Sequence, residues 1–144
     1  MAQEYPQLLL NNQLCFPLYA CSRKIVGSYT PFLKPLGLTY TQYLVLMVLW
    51  EHESMSVGQL GNILYLDAGT LTPLLKRLEK AGYVTRERSK DDERITIISI
   101  TEAGNQLKEQ CKDIPSKISA GSSALTREEA GELYRMLYVF LKEE

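Results

Sequence analysis

The stretch "TLTPLLKRLEKAGYVTRERSKDDERITIISI", residues 70–100, changes its hydrophobic period halfway along. In the first half Leu71, Leu74, Leu75 and Leu78 recur at i, i+3, i+4 and i+7, which is one face of an amphipathic helix. Thr72, Lys76, Arg77 and Lys80 lie on or near the opposite face. Pro73 is expected in the first turn, where a missing N–H costs little, and Gly82 ends the helix. From Tyr83 the period falls to two. "YVTRERS" (83–89) alternates apolar and polar residues, "KDDER" (90–94) is a polar tip, and "ITIISI" (95–100) is rich in β-branched residues. A helix followed by a β-hairpin is the expectation.

Outward from this stretch the chain reads as helices. "YLDAGT" (65–70) is expected to be a turn. Before it, Ser56 and Gln59 form a capping box that opens a short helix carrying Leu60, Ile63 and Leu64. Residues 41–52, apolar all round and containing Trp50, predict a buried helix. "GLT" (37–39) is a stop followed by a cap. Residues 8–36 repeat apolar positions at helical spacing, but Pro17, Gly27, Pro31 and Pro35 interrupt them, so a kinked or broken helix is expected. Downstream, Thr101 caps a helix through about Pro115. Thr126 and Glu129 form a second capping box, opening a final helix to about Leu141.

This order predicts a mainly α fold with a small β-hairpin wing, a winged helix-turn-helix. One domain spans residues 1–144, with the winged part over about 40–100 and dimerisation helices expected over about 8–36 and 101–144 on either side of it. A basic amphipathic helix alone is most often only a solvated face. Followed by a hairpin carrying Arg86, Arg88, Lys90 and Arg94, it points to nucleic acid, with small polar groups and cations suited to base edges and phosphates.

Composition agrees. Of 144 residues, 45% are apolar and 23% charged, ordinary values for a globular domain. The net charge of −1 excludes a uniformly basic binder, but charge is uneven. Lys76 to Lys90 holds six basic residues against two acidic ones, a net of +4, whereas the tail from Thr126 is net acidic. The longest apolar run, Tyr43 to Trp50, is too short to span a membrane, and the N-terminus carries no signal-peptide pattern. Cys15, Cys21 and Cys111 form neither a disulfide framework nor, with one histidine, a zinc site, so a reducing cytoplasm fits best and no metal or cofactor is expected.

Residues 65–104, "YLDAGTLTPLLKRLEKAGYVTRERSKDDERITIISITEAG", resemble the MarR family of dimeric winged-helix regulators, above all in the tip "DDER" followed by a β-branched strand and "ITEAG". "NQLCFPLYACSR" and "YTPFLKPLGLTYTQYLVLMVLWE" narrow the resemblance to the organic hydroperoxide resistance repressors. It implies that Cys15 is a peroxide sensor, that Tyr29 and Tyr40 hydrogen-bond its thiolate across a dimer interface, and that Tyr19 lines the site. It implies further that Arg94 is the wing arginine held by Asp92, and that Thr70, Thr72, Lys76 and Arg77 contact DNA. Arg86, Arg88 and Lys90 join them as expected DNA-binding residues. Pro17, close after Cys15, is expected to disturb the helix there.

A helical cysteine is most often a small buried hydrophobe, the expectation kept for Cys21 and Cys111. Cys15 stands apart because it lies near a helix start, where the dipole favours a thiolate, and because tyrosine hydroxyls can hydrogen-bond that thiolate. The expected activity is therefore repression of a pseudo-palindromic double-stranded operator by a homodimer, relieved when an organic hydroperoxide oxidises Cys15. The expected end state is a mixed disulfide with a small cellular thiol, with Cys111 of the other subunit as the alternative resolving thiol. A repressor released by a non-covalent phenolic or lipophilic ligand is the alternative, and a cysteine peroxidase a distant third. A regulator, not an enzyme, is expected.

Overall fold

The computed structural model describes residues 4–121 and 124–143. Residues 122–123 and 144, which belong to the expected C-terminal helical segment, lie outside the described residues. The chain forms two units, residues 1–112 and 113–144.

The first unit opens with two 3-10 turns and then α1 (Cys15–Leu33), α2 (Tyr40–His52), β1 (Ser54–Ser56), α3 (Val57–Leu64), α4 (Ala68–Lys80), β2 (Val84–Arg88), β3 (Thr96–Ile100) and α5 (Glu102–Cys111). The fold is the expected one, mainly helical with a winged helix-turn-helix at its centre.

Local chemistry sets most boundaries. Thr39 and Gln42 make a reciprocal capping box at the start of α2, as Ser56 and Gln59 do for α3. α4 ends in a Schellman motif. Gly82 sits at φ +86, its N–H donates to the Glu79 carbonyl, and the Tyr83 N–H donates to the Leu78 carbonyl. The Thr101 hydroxyl caps α5 by accepting from the Gly104 N–H and donates to the Gly82 carbonyl, tying α5 to the α4–β2 turn. Gly104 has no room for a side chain, because a Cβ there would lie 2.3 Å from the Tyr83 carbonyl oxygen.

The core lies between α2, α3, α4 and the sheet. Val45, Leu46, Leu49, Leu60, Leu71, Leu75, Leu78 and Ile98 are all at most 1% exposed. Each such side chain contributes roughly 1.5–3 kcal/mol through the apolar area it removes from water. Trp50, expected in the core, is half-buried at the rim. Its indole N–H donates to the Gly104 carbonyl at 2.9 Å, which satisfies the polar atom and latches α2 to α5.

Five expectations need correction. "YLDAGT" is not all turn: Asp67 caps α4, which takes in Ala68, Gly69 and Thr70. Pro73 therefore lies in the second turn, where it leaves the Gly69 carbonyl without its helical donor. The hairpin is one part of a three-stranded antiparallel sheet of order β1-β3-β2, because Ser54, Met55 and Ser56 pair with Ser99, Ile98 and Ile97. The helix after Thr101 stops at Cys111 rather than near Pro115. The first helical segment starts at Cys15 and runs unbroken to Leu33. Pro17 is its third residue, where no intrahelical bond is asked of its nitrogen, so the expected disturbance there does not arise. The break falls instead at Lys34–Leu36, a 3-10 turn closed by Gly37 at φ +70.

The second unit holds α6 (Ile114–Gly121) and α7 (Arg127–Lys142). α7 starts on the expected box, with Glu129 N–H donating to the Thr126 hydroxyl and Thr126 N–H to the Glu129 carboxylate. None of its residues is buried, although Leu133, Leu137, Phe140 and Leu141 are apolar. Among the described residues no single helix is long and apolar enough to cross a membrane; one bent pair, α1 and α2, meets the length and composition together.

Candidate DNA interface and thiol site

The start of α4 is fixed by Asp67, whose carboxylate accepts from the Thr70 N–H at 2.7 Å and is held below the usual carboxylate range by Thr70. With Leu71, Leu74, Leu75 and Leu78 turned inward, Thr70, Pro73, Lys76, Arg77 and Lys80 are exposed. Lys76 and Arg77 make no ion pair among the described residues, so their charge is available to a ligand. Thr72 is half-buried in a groove of about 610 Å³ between α3, α4 and the wing, which Arg86 and Arg94 also line.

The wing tip is closed by its own hydrogen bonds. Ser89 N–H donates to the Ile95 carbonyl, Ile95 N–H to the Asp92 carbonyl and Asp91 N–H to the Ser89 hydroxyl. Asp92 grips Arg94 with both oxygens, Nε to Oδ1 at 3.1 Å and Nη2 to Oδ2 at 3.0 Å, and accepts the Arg94 backbone N–H as well. The pairing lowers the Asp92 carboxyl and raises the Arg94 guanidinium. The Arg94 side chain nevertheless remains 91% exposed, a cation held in position yet open to a partner. Lys90 is exposed beside it. Arg86 and Arg88 also have partners inside the protein. Arg86 lies 3.6 Å from the Glu79 carboxylate on α4, and Arg88 Nη1 donates to the Glu93 carbonyl at 2.6 Å.

Cys15 is the first residue of α1 and is exposed. No side chain caps this helix end, where an anionic group is favoured by the dipole. Cys21, expected to be a small buried hydrophobe, is instead exposed farther along α1. Cys111 is buried in α5 at 2% exposure, and burial pushes its thiol up, toward an inert protonated state at neutral pH.

Of the expected tyrosines, Tyr29 of α1 and Tyr40 of α2 meet with ring centroids 4.7 Å apart. Tyr43, which sequence reasoning missed, completes the cluster at 5.8 Å from Tyr29 and 6.3 Å from Tyr40, and it meets Trp50 edge-on. Its signal was there: Tyr40 and Tyr43 are three residues apart on one helix, hence on one face. Burial first, then the nearby Tyr29, raises Tyr40; the same causes push Tyr43 up to about 12. Both hydroxyls keep their protons and can donate. Tyr19 is not in the cluster; it is 61% exposed, with the Arg23 guanidinium 5.6 Å from its ring centre.

Cys15 does not join the tyrosines within one chain. It and Tyr29 stand on the same helix, separated by about 21 Å of rise but only about 40° of rotation. They share a stripe and sit at its opposite ends.

Residues 28–111 match the family model described as transcriptional regulator SarA/Rot. The organic hydroperoxide resistance transcriptional regulator of Bacillus subtilis is 49% identical over 142 residues, covering 99% of this chain and 96% of that protein. The structure of reduced AbfR, a Staphylococcus epidermidis protein, bound to DNA is similar at 42% identity and a TM-score of 0.75, covering 99% of this chain and 97% of the other. A MarR variant from E. coli complexed with operator DNA is similar at 26% identity and a TM-score of 0.76, over 89% of this chain and 93% of the other. The chain thus belongs to the MarR/SarA-like family of winged-helix transcriptional regulators, in the branch of the organic hydroperoxide resistance repressors.

Proposed function

We propose that this protein is a dimeric cytoplasmic repressor that binds a pseudo-palindromic operator and releases it when an organic hydroperoxide oxidises Cys15. The observation that carries the reading is an exposed thiol on the first turn of α1, in a chain whose α4 and wing present exposed cations. α4 enters the major groove with Thr70, Thr72, Lys76 and Arg77 toward it, while Arg94, held by Asp92, reaches the minor groove beside Lys90.

Uncovered apolar surface supports the dimer. α1 exposes Phe16, Tyr19, Ile25 and Val26, and α7 exposes Leu133, Leu137 and Phe140. A second copy covers them. Two α1 helices antiparallel about a two-fold axis set Cys15 of each opposite the partner's Tyr29. This arrangement brings together the two ends of the shared stripe, and Tyr40 comes with Tyr29.

The thiolate attacks one peroxide oxygen, the O–O bond breaks, and the alkoxide leaves and takes up a proton as the alcohol. Cys15 is left as a sulfenic acid, which condenses with a small cellular thiol, losing water, to a mixed disulfide. Cys111, buried, would have to leave its site to compete for that step. The enlarged group no longer fits between the tyrosines, α1 and α2 repack, and the separation of the two recognition helices changes. A differential affinity of a few kcal/mol between the states is enough to empty the operator.

Fluorescence anisotropy on the upstream intergenic DNA tests this. The reduced protein should bind, hydroperoxide should release it, and Cys15→Ser should bind without being released. Release of Cys15→Ser by the oxidant would overturn the reading. A second reading rests on an apolar pocket of about 370 Å³ between α1 and α2, lined by Val26, Leu33, Leu38 and Tyr40. Release of Cys15→Ser by a phenolic compound without oxidant would favour it.

A further inference from the structure

Val84, Arg86 and Arg88 alternate along β2, so they share one face of the strand. Val84 is buried at 2%, Arg86 is half-buried and Arg88 is exposed, so this face leads from the core outward to the wing tip. Each arginine on it is anchored at a different place. Arg86 pairs with Glu79, on the last turn of α4. Arg88 donates at 2.6 Å to the carbonyl of Glu93, inside the tip, one residue from Arg94.

We infer that Arg86 and Arg88 are positioning residues that brace the wing against the recognition helix, rather than DNA contacts. The inference rests on the DNA-binding reading above and revises the role the sequence suggested for these two cations. Glu79–Arg86 joins α4 to β2, and Arg88–Glu93 joins β2 to the tip that carries Arg94. Together they fix the distance between the cations on α4 and the one on the wing. DNA offers its major and minor grooves at a fixed spacing, so a wing held at that spacing before binding loses less freedom on binding.

Braces and contacts differ in two readouts. A lost phosphate contact weakens binding and shallows the slope of log K against log salt by about 0.9 for each contact in each half-site, whereas a lost brace weakens binding with the slope unchanged. Glu79 gives the sharper readout. On charge alone, removing an acid from a DNA-facing helix tightens DNA binding. If Glu79 holds Arg86, removing it weakens binding instead.

The experiment is an operator titration across a salt series with the full chain, each variant scaled to its active fraction by stoichiometric binding. Glu79→Ala, Arg86→Ala and Arg88→Ala should each weaken binding by roughly three- to tenfold at the parental salt slope, the scale of lost preorganisation. The charge swap Glu79→Arg with Arg86→Glu should recover most of the loss seen in Arg86→Glu alone. Tighter or unchanged binding by Glu79→Ala, or a shallower slope in Arg86→Ala and Arg88→Ala, overturns the inference. A parent chain that fails to bind the operator overturns the DNA-binding reading itself, so the two failures are distinguishable.

Discussion

α4 and α7 carry the same kind of pattern and meet opposite fates. In α4, Leu71, Leu74, Leu75 and Leu78 are between 0% and 8% exposed. In α7, Leu133, Leu137 and Phe140 are 40%, 38% and 57% exposed, and no residue of the helix is buried. Periodicity tells which face of a helix is apolar; it is silent on what covers that face. In α4 the cover is α2, α3 and β2 of the same chain. In α7 the apolar face stays exposed, and the proposed dimer covers it with a second copy.

The sharpest way to break this contrast is to truncate one residue in each helix. Leu75→Ala opens a cavity in a closed core and should cost about 2–5 kcal/mol in urea unfolding. The loss should be the same at every protein concentration only in so far as the winged part unfolds apart from association. Phe140→Ala should act on association, raising the dimer dissociation constant by on the order of 30-fold in sedimentation equilibrium, the scale of an interface anchor. If Phe140→Ala leaves association untouched, α7 is not an interface helix.

The wing gives a smaller effect of a third kind. Arg94→Ala removes an exposed cation whose hydrogen bonds among the described residues go to Asp92, so stability should hold while operator affinity falls by about 1–3 kcal/mol. Unchanged affinity and salt dependence would remove Arg94 from the interface.

The smallest effect is spectroscopic. Tyr43 is pushed up to about 12, largely by burial. A raised tyrosine contributes stability that is complete below the unfolded value near 10 and is lost as pH rises toward the folded one. Ultraviolet titration of tyrosinate should therefore show a late component, absent in Tyr43→Phe, that ionises as the fold weakens. Early titration of all tyrosines would mean that the cluster opens in solution.

Much of this was legible beforehand because local chemistry decides it. The capping boxes at Ser56 and Thr126 and the leucine stripe of α4 each lie within a few residues, and each appears where the sequence predicts it; the Asp92–Arg94 pair is the one the family resemblance implies. The errors have separate causes. β1 is three residues long, with no periodicity of its own, and exists only because β3 offers an edge to pair with. α4 begins three residues before its apolar stripe because Asp67 can cap, a signal outweighed on paper by the turn-like "DAGT". Pro17 breaks nothing because α1 starts at Cys15, which makes the proline its third residue.

The candidate site divides the same way. That Cys15 and Tyr29 share a helix stripe is a property of the sequence, since 3.6 residues per turn sets both rotation and rise. Whether a tyrosine donates to anything is tertiary. Tyr43 enters the cluster, and Tyr40 and Tyr43 are pushed above the ordinary tyrosine value, only because α1 and α2 pack with those rings together and away from water. Likewise the count of arginines on β2 is sequence, but Arg86 and Arg88 acquire partners only when α4 and the wing tip fold back beside the strand. Charge and periodicity act over one or two turns and can be read from the chain. Cover and pairing depend on how helices and strands pack, and only their meeting in space decides how each cation is held.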